Sequence, residues 1–181
     1  MKHPKIALAL AAVASLTLSG SVWANGSADP KLPKEVQNMY CLVGSWQGNL
    51  TLGMGAEKAK LSASIDCSPT SNGFAIQCKA RMTGLPGGAV AEETDLFGWD
   101  PGANKYHWFS VTNMGETHDH VADVSAGDTV KWLYKGTMEG KPFEEALSMK
   151  FGKNSTSMVL RSTSKSAGKV VSTLDGTLHK K

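Results

Sequence analysis

From residue 45 to residue 179 the chain repeats one pattern. A short run rich in Val, Ile, Thr, Tyr, Phe and Trp is ended, every ten or so residues, by Gly, Pro, Asn or Asp. No stretch between these runs is long and periodic enough to form the helix that a parallel crossover needs. The pattern predicts ten strands, over 45–53, 58–67, 73–82, 91–99, 105–112, 116–124, 128–137, 142–151, 155–162 and 168–179. The breaks between them, such as "PTSNG", "DPGAN" and "KSAG", are short enough to be hairpin turns. Strands joined in sequence by hairpins form a meander, and an open meander exposes two edges that closure would remove. The expected fold is therefore all-β: a single closed or nearly closed antiparallel up-and-down barrel of about ten strands. One short helix precedes it in "PKEVQNMY", with Pro33 as its first residue and Val36, Met39 and Tyr40 on one side.

The start of the chain lies outside this pattern. Lys2 and Lys5 are followed by an apolar run from Ile6 to Leu18, and Val22-Trp23-Ala24 places small residues at −3 and −1. This is the layout of a signal peptide over 1–24, cleaved after Ala24. The apolar run is shorter than the ~20 residues of a comfortable membrane span. Residues 25–32 then form a polar leader and 33–181 the barrel domain, exported to the bacterial periplasm. Cleavage would leave 181 − 24 = 157 residues, with 19 − 2 = 17 basic and 16 acidic side chains. With no Lys/Arg cluster left to track phosphates, neither nucleic acid nor a membrane span is expected.

Three cysteines in an oxidising compartment imply one bridge and one free thiol, or a pairing between chains. Asn72-Gly73 is a strong hairpin signal, and as a two-residue turn it sets residue 67 opposite 78. The favoured bridge is Cys67–Cys78, with Cys41 the competing partner. Without a C-x-x-C, the bridge reads as a structural staple.

"LVGSWQG", Leu42 to Gly48, places a Gly-x-Trp after a short helix and at the start of the first strand. It resembles the opening motif of the lipocalin-like (calycin) barrels, with Gly44 and Trp46 as its fixed points. "LFGWDPGANKYHW" resembles the middle of an uncharacterised bacterial domain family of such barrels. The resemblance spans most of residues 40–179 and implies an interior cavity. It also implies that Trp46 plugs the narrow end, beneath a basic side chain from the last strand. That strand has no Arg, only His179 and Lys180 near its end, and the Arg-x-Tyr of fatty-acid carriers is missing.

Three of the five histidines fall within fourteen residues, at His107, His118 and His120. His118 and His120 share a face, because side chains alternate along a strand. A two-residue turn at Asn113-Met114 or Met114-Gly115 would put His107 on that face too, together with Phe109; an odd-length loop would not. Asp119 and Asp123 belong in water, which sends the histidines inward. A three-residue bulged loop at Ser125-Ala126-Gly127 would add Val130, Trp132 and Tyr134 to the same interior. The expected cavity lining is His107, Phe109, His118, His120, Trp132 and Tyr134. His107, His118 and His120 also form a weak candidate zinc site, since three imidazoles leave a fourth position open.

The remaining motifs read as structural. Of the eight methionines, those of the strand region (Met82, Met138, Met149, Met158 and the loop Met54 or Met114) read as adaptable core filling. Glu92-Glu93 and Glu144-Glu145 are neighbours on strands, so the members of each pair face opposite ways. No nucleophile elbow occurs, and an enzyme is not expected. The expected function is binding of a small apolar or amphipathic molecule inside the barrel, with no cofactor required. Two alternatives stand beside it. One is haem or metal binding in the manner of the nitrobindin barrels, which share a Gly-x-Trp-x-Gly opening (Gly44, Trp46 and Gly48 here) and take their iron ligand from a histidine near the chain's end, here His179. The other is a surface-binding or inhibitor module with Trp99 and Trp108 as exposed anchors.

Overall fold

The computed structural model describes residues 31–124 and 127–181. The expected signal peptide, most of the polar leader, and Ser125 and Ala126 lie outside the described residues. Leu32–Lys181 forms one compact unit.

A short helix, α1 (Lys34–Met39), runs into a 3-10 turn over Tyr40–Leu42. Ten strands follow: β1 (Gly44–Met54), β2 (Glu57–Thr70), β3 (Ala75–Thr83), β4 (Ala91–Asp100), β5 (Lys105–Thr112), β6 (Thr117–Asp123), β7 (Thr129–Met138), β8 (Lys141–Phe151), β9 (Ser157–Ser166) and β10 (Lys169–Lys180). Each pairs antiparallel with its neighbours in sequence, and β1 pairs with β10 to close the barrel. All ten expected strands are present.

Closure brings backbones close together at glycines. Gly48 is opposite Leu178, and Gly176 is opposite Leu50. A Cβ on Gly48 would run into the Thr177 carbonyl oxygen, and one on Gly176 into that of Asn49. The absence of a side chain lets the first and last strands coil tightly across the seam.

The inner face carries the core: Trp46, Leu50, Leu61, Ile76, Phe97, Leu147, Met158 and Leu178 are all buried. The outer face carries cross-strand ion pairs, including Arg81–Glu92, Lys105–Asp123 and Arg161–Asp175. The inside–outside alternation expected of a half-buried antiparallel sheet is thus kept around the wall. No helix among the described residues is long and apolar enough to cross a membrane.

One end of the barrel is closed by the N-terminal segment. The Trp46 indole donates to the Leu42 carbonyl at 2.7 Å, and the Tyr106 hydroxyl donates to the Glu35 carbonyl at 3.1 Å. The basic partner of Trp46 is Lys180, whose Nζ lies 4.8 Å from the ring centroid. Gly44, at φ +126°, leaves room for the Lys180 stem.

Cys67 and Cys78 face each other in the ladder and are joined by a disulfide; Cys41 is free. Asn72 and Gly73 both take positive φ, as the hairpin that sets this register requires. A bridge of this kind fits an oxidising compartment. Cys41 is half-buried, and burial pushes its thiol up to about 11, which leaves it protonated and unreactive near neutral pH.

The β6–β7 seam differs from the rest of the wall. Among the described residues its ladder comprises Val121 opposite Leu133 and Ala122 opposite Trp132. The β5–β6 ladder on the other side of β6 runs from Lys105–Asp123 to Val111–Thr117.

Candidate functional site

The hairpin between β5 and β6 decides which histidines meet. Val111 pairs with Thr117, and the Thr112 amide donates to the Glu116 carbonyl, so the loop proper is Asn113-Met114-Gly115. Gly115 has φ +83°, the left-handed residue that ends a three-residue bulged hairpin. The Thr112 hydroxyl accepts from the amides of Met114 and Glu116. The Asn113 side chain fastens the loop to β4 by accepting from the Glu92 amide and donating to the Val90 carbonyl.

An odd loop reverses the parity expected from a two-residue turn. His107 therefore faces outward, where its Nδ1 lies 3.0 Å from Asp119 Oδ1. Phe109 is likewise outside, 44% exposed. Neither lines the cavity, and the expected triad of His107, His118 and His120 does not form. The inward set on β5 is Tyr106, Trp108 and Ser110, all buried. Trp108 is thus an interior residue, and Trp99, packed against the core on β4, is also no exposed anchor.

His118, His120, Trp132 and Tyr134 do face inward. The β6–β7 register differs by two residues from that of a three-residue loop, with Trp132 opposite Ala122 and not His120. A shift of two preserves the face. His179, singled out by the nitrobindin resemblance, is exposed on the outer side of β10.

The interior holds a cavity of about 500 Å³. Leu42 and the Cys67–Cys78 bridge contribute to its lining at the closed end, and Met54, Met114, Glu116 and Met138 contribute at the rim. One wall is apolar, with Leu50, Leu52, Ile65 and Met82. The opposite wall gathers the polar groups. His120 Nε2 lies 3.2 Å from Glu145 Oε2, with the histidine side chain 3% and the glutamate 19% exposed. Trp108 stacks on His120 at 4.6 Å between centroids, and Tyr134 stacks on His118 at 4.3 Å. The Trp108 indole donates to Asp95 Oδ1 at 2.8 Å. His120 Nδ1 is buried without a partner, a group whose desolvation is uncompensated.

These neighbours shift one another's protonation. Burial, reinforced by the charges of Asp95, Glu145 and Glu116, pushes Glu93 up to about 7. Burial also raises Asp95, outweighing the hydrogen bonds from Trp108 and Ser110 and the nearby His120. Burial and His120 hold His118 below the usual imidazole value, against the pull of Glu116 and Glu145. Burial works to raise Glu145 as well, but the His120 hydrogen bond and charge, helped by Ser162 and His118, prevail and keep it low.

Glu93, Asp95 and Glu145 were not among the residues the sequence singled out. The available signal was parity. In "PFEEALSMKF" the apolar residues Phe143, Leu147, Met149 and Phe151 fix the inner face, and Glu145 falls on it. Glu144 points outward to Lys135.

No family model and no curated protein matches the chain. Among solved structures, the crystal structure of Rv2717c from M. tuberculosis is similar, with a TM-score of 0.60 at 13% identity. The match covers 83% of this chain and 99% of that one. At this identity the likeness shows the fold, a ten-stranded antiparallel barrel, and nothing of the ligand.

Proposed function

We propose that this protein is a binding barrel rather than an enzyme, holding one small amphipathic molecule in its interior. The observation that carries this reading is the polarised lining. The apolar wall of Leu50, Leu52, Ile65 and Met82 would hold the body of the ligand, and methionines at the rim adapt to its shape. The charged groups on the other wall are Glu93, Asp95, Glu116 and Glu145, beside His118 and His120; neither Lys nor Arg lines the cavity. A carboxylate head would meet like charge in a medium of low dielectric, where repulsion is weakly screened. A hydrogen-bond-donating head, such as a protonated amine, fits instead. A volume of about 500 Å³ falls within the range of small-molecule sites.

The test compares two fluorescent probes of equal chain length, a dansylated alkylamine and a dansylated fatty acid. The amine is expected to bind at least about tenfold more tightly, a difference of ~1.4 kcal/mol. Ala63→Phe, which fills the cavity from β2, should abolish its binding while the fold is retained by circular dichroism. Failure of both probes to bind, or equal binding of the two, overturns the reading.

A further inference from the structure

Two imidazoles and a carboxylate converge on the polar wall from β6 and β8. His118, His120 and Glu145 each offer one donor atom, and these three atoms lie within 4.8 Å of one another. This is a donor set that zinc accepts, with three protein ligands and a fourth position left open. On a tetrahedral zinc with bonds near 2.0–2.1 Å, neighbouring ligand atoms are about 3.3 Å apart. The 3.2 Å between His120 Nε2 and Glu145 Oε2 already matches one such edge. We propose that His118, His120 and Glu145 bind a divalent cation of the zinc class, with its open coordination position turned into the barrel cavity.

Three further features support the assignment. Each imidazole is held by an aromatic plane, His120 by Trp108 and His118 by Tyr134, so ring orientation is restricted before any ion arrives. Glu145 has a supporting hydrogen bond from Ser162, the outer-sphere contact that orients a ligating carboxylate. His120 is almost wholly buried and the Glu145 side chain is only 19% exposed, which limits competition from water for the ion. The ligating nitrogens and carboxylate must be free of protons when the ion binds, so any proton held between His120 Nε2 and Glu145 Oε2 would be released to solvent. His118, half-buried at the end of β6 towards the rim, would supply the third ligand atom.

The site shares the cavity with the proposed amphipathic ligand but does not rest on that reading, since the ion needs only three side chains. Protein stripped with a chelator is titrated with zinc and followed by native mass spectrometry and thermal unfolding. In parallel, cobalt(II) is added and its visible ligand-field bands are recorded. The expected result is one zinc per chain, a raised melting temperature, and cobalt bands of tetrahedral intensity. Glu145→Gln and His118→Ala, each checked for folding, should weaken zinc at least about tenfold. His107→Gln, on the outer face, should bind as the wild type does. No zinc adduct on the wild-type protein overturns the proposal, and so does an adduct that survives undiminished in both Glu145→Gln and His118→Ala. Binding of the dansylated amine by the metal-free protein is read separately, so either idea can fail alone.

Discussion

The wall formed by β5 and β6 carries a histidine–carboxylate contact on each of its faces. Outside, His107 lies 3.0 Å from Asp119, with side chains 37% and 50% exposed. Inside, His120 lies 3.2 Å from Glu145, with side chains 3% and 19% exposed. The distances barely differ, but the surroundings do. Water screens the outer pair and competes for both partners, so holding two side chains together gains little. The inner pair has lost most of its water, so each partner depends on the other for satisfaction. Geometry alone would rank the two contacts equal; burial separates them.

The comparison breaks most visibly if one inner partner is removed. His120→Ala should destabilise the protein by about 3–5 kcal/mol in urea unfolding, because Glu145 stays behind without its partner. A loss below ~1 kcal/mol would mean that water reaches Glu145 freely.

The next largest effect is a pH dependence confined to the inner face. Glu93 has its pKa raised from 4.5 to about 7 by burial and neighbouring carboxylates. Between those values the native state holds a proton that the unfolded chain has released, so stability falls as pH rises through this window. The full effect is at most roughly 3 kcal/mol, at 1.36 kcal/mol per pH unit. Glu93→Gln should flatten the stability profile between pH 4.5 and 7.

His118 contributes a smaller slope of opposite sign. Its native value is held below 6.5 by burial and His120. On acidification through 6.5 the unfolded chain takes up a proton first, so stability falls as pH drops. His118→Gln in chelator-treated protein should remove that acid-side loss. An unchanged profile would place His118 in bulk water.

The smallest effect sharpens the contrast from outside. His107→Ala and Asp119→Ala, singly or together, should each change stability by no more than about 0.5 kcal/mol, and less at high salt. A double-mutant cycle on His107 and Asp119 should give coupling near zero. The same cycle on His120 and Glu145 should not.

These two contacts also mark what could be read from the sequence. Strand positions, hairpin order and the Cys67–Cys78 pairing depend on local chemistry: β-rich runs, turn residues, and an Asn-Gly that fixes the register within a few residues. The inward direction of His118 and His120 followed from Asp119 and Asp123 needing water. The direction of His107 is not legible in the same way, because one residue in the β5–β6 loop reverses every side chain on the strand. Gly115, the left-handed residue of that loop, was visible in the sequence, but a two-residue turn used the same letters. Trp108 gave a clue, since placing it in solvent was already unfavourable. Glu145 was harder to reach. It comes to His120 from across β7, a contact that depends on barrel curvature and cannot be read from spacing along the chain.

The short β6–β7 ladder has a mechanical consequence. Where main-chain hydrogen bonding between these strands is sparse, side chains take over as fasteners. His118 and His120 lie against Tyr134 of β7, and Glu145 of β8 reaches over β7 to His120. The polar cluster therefore works as a rivet through a thin part of the shell, and whatever occupies it also tightens the wall. Amide protons of β6 and β7 near this seam should exchange with deuterium before those of β1, β2 and β10, whose ladders run from Trp46–Lys180 to Gly53–Thr173 and from Gly44–Cys67 to Met54–Glu57. A bound ion or ligand should slow that exchange selectively, so that occupancy is reported by how fast the barrel breathes.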